Sequence, residues 1–536
     1  MRTPVLLYVL ALGVRLVLIA LFPDPAYPDS SYYVDVARSL AASGRFEVDF
    51  VWIFAEVGGA IPAVPMLPIP SNAHWMPLAS IVQVPFISLL GPTAIASALP
   101  FALAGATAAP LTWAIARDAG ARSRIAIGAA ILVAVPVLAT PFMVQPDNFS
   151  LYQPLVAAAL WMGARGLRGD GRSFAIAGLL VGLATLSRND GILVLAALGL
   201  AFAWDRWRAW RSGGGRRPAI PVWAAVACVG LFLLAVAPWY LRQIAVFGQL
   251  SPSTASGKVL FIRSIDEWNS ITTPATLSHL LGQGPGPLVA SRVGGLVAAI
   301  TIFTTLIAGG LLLPFMLLGG WLRRRSIAFG PFFLYAALLF AFSTLVSAVH
   351  VPGGTFIHSA VGLAPHAYIL AMEGIVAGVA WIAARRPAWN EDVAARVFLT
   401  TGVAFAVLAA IGGSLSVHAR WRSEHAQRVA VAEALDAAGA PPTDRLMSID
   451  AAGYRYFTGR GGVVLVNDPL DAIERVGRAY QARWLILERD ESVAAVSGIL
   501  LADERPAWVG PATWRDGDRA AVYPLCFEAG DPRCPS

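Results

Sequence analysis

Long apolar runs recur along most of this chain, and short charged breaks separate them. A helix that crosses a bilayer needs roughly 17 to 25 such residues, and we predict about eleven spans. These lie near residues 4–22, 93–116, 125–143, 150–164, 174–187, 191–204, 222–240, 293–320, 330–349, 358–383 and 395–416. Because 57% of the 536 residues are hydrophobic and only 14% are charged, a water-facing globule is excluded. The expected fold class is an all-α polytopic membrane protein.

The arginine-rich gaps between these runs predict an orientation, because short loops rich in Arg and Lys stay in the cytoplasm. Five alternate gaps are rich in arginine: 117–124, 165–172, 206–217, 323–325 and 385–386. With the N-terminus inside, all five are cytoplasmic only if the run from Pro77 to Gly91 does not cross. Its length of about 15 residues suits an interfacial or re-entrant helix. The net charge of +7 is thus assigned to membrane topology, and nucleic acid is not an expected partner.

The N-terminal run is interpreted as a retained anchor and not as a signal peptide. Arg15 interrupts it, and no small-residue cleavage motif precedes Asp24. Lys258 is the single lysine among 40 basic residues, a bias associated with GC-rich bacterial genomes. We therefore expect a multi-pass protein of the bacterial plasma membrane with a cytoplasmic N-terminus.

The predicted outer side carries the candidate catalytic and substrate-binding residues. The first outer loop, residues 23–92, holds Asp29, Tyr33, Glu56 and His74, and later outer loops add Asp147, Arg188, Asp190, Arg242 and His358. Sugar transfer from a lipid phosphate requires a carboxylate that takes a proton from an acceptor, beside cations that stabilise the leaving phosphate. Asp29 is the predicted base, with Arg188 or Arg242 as the cation. Displacement by an acceptor activated in this way inverts the anomeric centre.

Each of these residues also has a structural interpretation. An acid at a helix N-terminus, as at Asp29, often only caps the helix. Arg188 and Asp190 would serve equally well as an interfacial ion pair. Arg242 stands beside Trp239 and would suit an aromatic belt, and histidines such as His358 most often contribute to packing.

Five motifs follow one another from the first run onward. They are Asp29-x-x-Tyr-Tyr, the stretch His74 to Leu78, Asp147, Leu-Ser-Arg-Asn-Asp-Gly at 186–191, and Pro-Trp-Tyr-Leu-Arg-Gln at 238–243. In this order they resemble the GT-C superfamily of integral-membrane glycosyltransferases. The most similar branch contains the protein O-mannosyltransferases and the aminoarabinose transferases of lipid A. The resemblance covers roughly residues 1–390.

This resemblance implies an inverting transfer from a polyprenyl-phosphate-linked sugar on the extracytoplasmic face, with Asp29 as the catalytic acid of the first loop. Asp147 matches an acid that helps to bind a divalent metal in the oligosaccharyltransferase branch, whereas the mannosyltransferase branch is thought to need none. A divalent metal is thus a possible cofactor. A second acid often follows in the first loop, and Glu56 is favoured over Glu47 and Asp49 for that place.

The chain departs from the family pattern near the end of the first loop. Relatives often have Lys-Pro-Pro-Leu where this chain has Trp75-Met76-Pro77-Leu78. A lysine that could approach phosphate is therefore missing, and His74 is the candidate to replace it.

The last 120 residues change character, since charge rises from about His418. Short apolar runs at 445–449, 463–466 and 484–488 alternate with helical stretches such as 471–482. This pattern predicts a small α/β domain with a partly parallel sheet. We expect a transmembrane domain over 1–416 and an extracytoplasmic domain over 417–536, which could hold the acceptor. Cys526 and Cys534 are candidates for a disulfide.

Two other functions compete with glycosyl transfer to a protein, lipid or polysaccharide acceptor. A transporter or flippase would also place acids and arginines around a membrane cavity, although the internal repeats typical of transporters are not found. A non-catalytic relative would bind lipid-linked sugar without transferring it, and it would tolerate the loss of Asp29.

Overall fold

The structure is a computed structural model that describes residues 2–213, 215–249, 258–346, 355–386, 388–489, 493–528, 531, 533 and 534. Its first helices are α1 (Arg2–Leu21), α2 (Pro28–Ser43), α3 (Ile53–Glu56), α4 (Leu78–Ile81), α5 (Val84–Leu90), α6 (Ala94–Ala106), α7 (Ala108–Asp118), α8 (Ser123–Ala134), α9 (Phe149–Gly166), α10 (Gly171–Ser187), α11 (Ile192–Arg211) and α12 (Val222–Phe247). Then come α13 (Ile265–Trp268), α14 (Leu277–Gly282), α15 (Pro285–Ile302), α16 (Leu313–Arg323), α17 (Gly330–Ala341), α18 (Thr355–Ala360), α19 (Ala364–Ala383), α20 (Glu391–Ala437), α21 (Ala451–Thr458), α22 (Leu470–Ala479) and α23 (Ser497–Ala502). The strands are β1 (Glu47–Val48), β2 (Phe50–Val51), β3 (Ile69–Pro70), β4 (Arg445–Ser448), β5 (Gly462–Val464), β6 (Ala482–Glu488), β7 (Trp514–Asp516) and β8 (Ala520–Pro524).

Seven helices of the described chain are long and apolar enough to cross a membrane. The number becomes eight if α8 and the following 3₁₀ helix, Val137–Val144, form one span bent by 54°. The expected number of eleven is therefore not confirmed. Helices α9, α10 and α11 occupy predicted spans, but each is too short or too polar to be counted among the helices that could cross a membrane.

Two predicted segments illustrate how turn residues divide the helices. The run 77–91 forms the short helices α4 and α5, in keeping with an interfacial or re-entrant segment. The predicted single span 293–320 is instead two helices, α15 and α16. The chain breaks between them because Gly309 and Gly310 adopt positive φ angles of 56° and 72°, and Pro314 starts the next helix.

The arginine-rich loops 117–124 and 165–172 lie together at one end of the helix bundle, beside the start of α20. Arg124 forms an ion pair with Asp392 at 2.8 Å, and Arg168 pairs with Asp118. Helix α9 runs from Phe149 at the other end to this end, and α10 returns, so the residues that precede α9 and follow α10 lie at the opposite end. The structure thus separates the arginine loops from most of the predicted site residues.

The C-terminal region forms a six-stranded sheet in the order β2-β5-β4-β6-β8-β7, parallel from β2 to β6 and antiparallel beyond. The predicted α/β fold with a partly parallel sheet is confirmed, and Cys526 and Cys534 form a disulfide. The boundary expected at 416/417 falls inside the continuous 47-residue helix α20. Strand β2 comes from the first outer loop. Its place in the C-terminal sheet was not predicted from the sequence, because a two-residue strand leaves no periodic pattern.

Candidate active site

A cavity of 1610 Å³ lies where the first outer loop, the helix ends and the C-terminal region meet. The residues that bear on its chemistry come from all three regions: Asp29, Tyr33, His74 and Trp75 from the loop, Asn148, Arg188, Asp190 and His358 from helix ends, and Arg420, Glu424 and Arg428 from α20. Pockets for one small molecule are typically about 300–1,000 Å³. The cavity therefore has room for more than one small ligand.

Asp29 lies in the first turn of α2, which Pro28 begins. Its Oδ1 accepts a hydrogen bond from the indole Nε1 of Trp75 at 2.9 Å. The Oγ of Ser30 accepts from the backbone N–H groups of Ala26 and Tyr27 at 3.1 and 3.2 Å, so Ser30 holds the backbone ahead of the helix. Asp29 is thus directed to the cavity wall and is held there by Trp75, which is a different role from a simple cap.

Asp147 lies behind the cavity wall and beside Asp29. Its carboxylate accepts hydrogen bonds from the hydroxyl of Tyr27, at 2.9 Å, and from the backbone N–H of Asn148. His358 Nδ1 lies 3.6 Å from Asp147 Oδ2 and 3.0 Å from Asn148 Oδ1. The ligand atoms of Asp29, Asp147 and His358 all fall within 4.8 Å of one another, so two acids and an imidazole share one small volume.

The proximity of these two acids changes their proton affinity. Burial raises the pKa of Asp29, while the Trp75 hydrogen bond and the positive charge of Arg188 oppose this rise. Burial, followed by the negative charge of Asp29, raises the pKa of Asp147 to about 7. A carboxylate whose pKa lies closer to neutrality is a stronger base, which is what a proton acceptor needs.

Arg188 is positioned by the short connection between α10 and α11. Helix α10 ends at Ser187, and Arg188 is extended, with φ −157° and ψ 130°. A Cβ at Gly191 would come within 2.7 Å of the Thr185 backbone nitrogen, so the tight turn requires glycine there. Arg188 Nε lies 3.0 Å from Asp190 Oδ1 and donates to Ser359 Oγ at 2.8 Å.

Arg188 and Asp190 do form the ion pair of the structural interpretation. Both residues also line the cavity, so the two roles coexist. Ser359 joins them, because its hydroxyl donates to Asp190. The guanidinium is held in one orientation and carries positive charge on the cavity wall near Asp29.

Tyr33 and His74, two of the predicted substrate-binding residues, line the cavity, but neither brings a charge. Burial raises the pKa of Tyr33 well above its ordinary value, so the phenol stays protonated. Burial, and then the charge of Arg188, lower the pKa of His74 to about 4. His74 is neutral at pH 7, so it cannot replace the positive charge of the lysine that the family pattern has in this region.

Two predicted site residues are placed elsewhere by the structure. Neither Glu56 nor Arg242 is among the described residues that line the cavity. Glu56 is buried and accepts hydrogen bonds from the Tyr32 hydroxyl at 2.8 Å and the Trp52 backbone N–H at 3.1 Å. The presence of an acidic residue in the first loop does not indicate whether its side chain is enclosed or faces a cavity.

Arg242 is surrounded by aromatic side chains, as its interpretation as part of an aromatic belt requires. The guanidinium lies over the rings of Phe46, Trp239 and Phe247, at 5.3, 4.9 and 5.3 Å from their centroids. It also donates to the side chain of Gln243 at 2.9 Å. Arginine packs well on aromatic faces, and here it anchors the end of α12.

Several functional neighbours were not selected from the sequence. Trp75 belongs to the His74–Leu78 motif and Asn148 follows Asp147, but the sequence does not indicate that Trp75 contacts Asp29 or that Asn148 contacts His358. Arg428 and Asp450 form a buried ion pair at 2.9 Å, and the charge of Asp450 contributes to raising the pKa of Asp29. They lie more than 390 residues from Asp29 in the chain, so no local pattern could have connected them.

Comparison with known proteins supports the relationship that the motifs indicated. Residues 74–241 match the family model described as dolichyl-phosphate-mannose-protein mannosyltransferase. A search of curated proteins finds no significant match.

Two solved structures share the fold over nearly the whole chain. ArnT from Cupriavidus metallidurans bound to undecaprenyl phosphate has a TM-score of 0.58 at 14% identity, and the match covers 97% of each chain. The oligosaccharyltransferase AglB from Archaeoglobus fulgidus, in complex with an inhibitory peptide and a dolichol-phosphate, has a TM-score of 0.55 at 13% identity. That match covers 95% of this chain and 73% of AglB.

The class is therefore defined by fold: this chain is a multi-pass integral-membrane protein with the architecture of the GT-C glycosyltransferases. Within that class its likeness is to the ArnT and protein-mannosyltransferase type, as the sequence motifs predicted.

Proposed function

We propose that this protein is an inverting glycosyltransferase that moves a sugar from a polyprenyl-phosphate donor to an acceptor, with Asp29 as the general base. The observation that carries the proposal is that Asp29 and Arg188 line the same cavity, where the positive charge of Arg188 acts on the Asp29 carboxylate. A proton acceptor and a fixed cation in one cavity are what displacement of a lipid phosphate requires.

The reaction follows from the positions of these groups. Asp29 accepts the proton of the acceptor as the acceptor attacks the anomeric carbon of the donor. The bond from that carbon to the phosphate oxygen breaks, and the polyprenyl phosphate leaves with the electron pair. Arg188 stabilises the charge that develops on the departing phosphate. Attack from the face opposite the leaving group inverts the anomeric centre.

The donor class is supported by the relatives and by the shape of the cavity. The two solved relatives were obtained with undecaprenyl phosphate and with a dolichol-phosphate. In this chain the cavity wall that includes Arg188 and His358 also includes Leu138, Phe142 and Phe342, which are apolar. Such a wall suits a prenyl chain attached to a phosphate. The acceptor is a protein, a lipid or a polysaccharide.

The arrangement of charges supports an extracytoplasmic site. The arginine-rich loops 117–124 and 165–172 lie at the opposite end of α9 and α10 from Asn148 and Arg188. Loops of that composition are kept in the cytoplasm. The cavity and the C-terminal region then face outward from a bacterial plasma membrane, with the N-terminus inside.

The three residues that share one small volume also fit a divalent cation. Asp29 and Asp147 provide carboxylate oxygens and His358 an imidazole nitrogen, which are ordinary ligands for such ions. Two neighbouring acids whose pKa values are raised would ionise more readily beside a cation. When bound, the cation would add positive charge near the leaving phosphate.

The decisive experiment measures transfer of radiolabelled sugar from a panel of polyprenyl-phosphate sugars in membranes with wild type or Asp29→Asn. We expect transfer by the wild type, and its loss in the variant with donor binding retained. Glu433→Gln, which changes an exposed side chain on α20, is the control. Unchanged transfer in Asp29→Asn would refute the role of Asp29. Absence of transfer from every donor would favour a transporter or a non-catalytic binding protein.

A further inference from the structure

We infer that Glu56 is a positioning residue, which acts on Asp29 through Tyr32 and Trp75 and does not itself contact substrate. This inference rests on the proposed function for its kinetic consequences, but the contacts that carry it are independent of the reaction. They form a continuous connection from an enclosed carboxylate to the cavity wall.

The connection begins in a buried pocket. Glu56 is 3% exposed, and its two carboxylate oxygens have separate donors. Oε1 accepts from the Tyr32 hydroxyl at 2.8 Å, and Oε2 accepts from the Trp52 backbone N–H at 3.1 Å. The same Tyr32 hydroxyl accepts from the Asn72 backbone N–H at 2.7 Å. Both functions of the hydroxyl are therefore used, and the ring is fixed at its far end.

The Tyr32 ring then fixes the indole that holds Asp29. Tyr32 stacks on Trp75 with ring centroids 4.1 Å apart and an angle of 27° between the planes. The Asn72 side chain also donates to the Trp75 backbone oxygen at 3.0 Å. Trp75 Nε1 in turn donates to Asp29 Oδ1 at 2.9 Å. A shift of Tyr32 would therefore move or tilt the indole that sets the orientation of Asp29.

The C-terminal sheet supports the other side of Glu56. Strand β2 lies just before Trp52 and pairs in parallel with β5, where Phe50 aligns with Gly462 and Val51 with Val463. A side chain at Gly462 would come within 2.3 Å of the Leu446 backbone oxygen, so the strands pack closely here. The first loop is thus built into the C-terminal sheet, and Glu56 lies where the two regions join.

The arrangement matters for catalysis because a general base must point its free oxygen at the acceptor. The indole N–H is bonded to Oδ1 of Asp29, and this bond sets the orientation of the whole carboxylate. Misplacement of a reacting group by about 1 Å can cost about 100-fold in rate. Loss of the Glu56 connection should therefore reduce kcat and leave the KM for the donor nearly unchanged.

Glu56→Gln tests the inference with little change in size. An amide has an acceptor oxygen at only one of the two positions, so either Tyr32 or Trp52 would face the NH₂ group and lose its acceptor. We expect kcat to fall between about 10- and 100-fold with the donor KM unchanged. Tyr32→Phe should give a similar fall. Trp75→Phe combined with Glu56→Gln should be no worse than Trp75→Phe alone, because both changes interrupt one connection.

Controls and a readout without turnover make the result decisive. Glu433→Gln and Trp210→Phe alter exposed side chains and should retain wild-type kinetics. In protein labelled with 5-fluorotryptophan, Trp75→Phe assigns the Trp75 fluorine signal. Glu56→Gln should shift this signal, and Glu433→Gln should not. A wild-type kcat in Glu56→Gln, multiplying effects in the double variant, or an unshifted Trp75 signal would overturn the inference, and none of these outcomes would bear on Asp29 as the base.

Discussion

Two acids of the first outer loop, Asp29 and Glu56, occupy contrasting regions. Asp29 faces a large cavity beside Arg188, whereas Glu56 is enclosed by Tyr32 and Trp52 with both oxygens occupied. Burial raises the pKa of both. A raised pKa alone therefore does not identify a catalytic acid. Access to a cavity and a neighbouring cation are what separate the reactive region from the supporting one.

Apart from changes at Asp29, removing the positive charge of Arg188 should have the largest effect on the transfer rate. Arg188→Gln should lower kcat by about 10²–10³-fold, the usual cost of losing one group that stabilises developing charge. Arg188→Lys should recover part of this rate, because it restores the charge without the planar geometry. Initial rates at saturating donor measure both, with exposed Arg422→Gln as the control. Equal rates in Arg188→Gln and wild type would contradict the account of this wall.

A second change addresses the cation site of the same region. Asp147→Asn should weaken Mn²⁺ binding about 10- to 100-fold, since it removes a charged ligand from the cluster. Electron paramagnetic resonance of added Mn²⁺ would report this directly. Asp503→Asn, which lies on the surface of the C-terminal region, should bind as the wild type does. Mn²⁺ binding that is equal in wild type and Asp147→Asn would place the ion elsewhere.

The supporting region should reveal itself in stability. Burial raises the pKa of Glu56 from 4.5 to about 7, against the opposing hydrogen bonds from Trp52 and Tyr32. The folded protein then holds this proton more tightly than the unfolded chain. The resulting stability is present below about pH 4.5 and is lost as the pH rises through about 7.

Thermal unfolding in one detergent between pH 5 and 8 checks this expectation. The unfolding temperature of the wild type should fall across this range, and Glu56→Gln should flatten the dependence. Glu433→Gln should behave as the wild type. The same slope in Glu56→Gln and wild type would show that other groups cause the pH dependence.

The smallest effect is expected at Arg242, which belongs to neither region. Arg242→Lys should change kcat by less than about twofold, because its aromatic contacts lie outside the cavity wall. Its stabilising contact with Trp239 should weaken by about 0.5–1 kcal/mol or less. A loss of transfer comparable to that of Arg188→Gln would return Arg242 to the site.

The sequence predicted the fold class and selected several residues that the structure places at the candidate site, for identifiable reasons. Apolar runs and charged breaks are local, so the helices and the ends of α9 and α10 could be anticipated. Asp29, Asp147 and Arg188 belong to separate loops, yet the family order of motifs predicted that they share one face. His358 was assigned to that face only by the predicted topology. The contacts of Glu56 and Arg242 depend on side-chain packing, and the entry of β2 into the C-terminal sheet depends on Gly462 and Val463, which lie 412 positions beyond their partners. No periodic pattern records either.

The most direct test of this account compares the two acids in one assay. Single-turnover transfer with donor already bound would be measured for Asp29→Asn and Glu56→Gln in the same membranes. The account predicts a loss of more than about 10³-fold for Asp29→Asn and a smaller loss, of at most about 100-fold, for Glu56→Gln. The reverse order, with Glu56→Gln inactive and Asp29→Asn active, would contradict it and make Glu56 the catalytic acid.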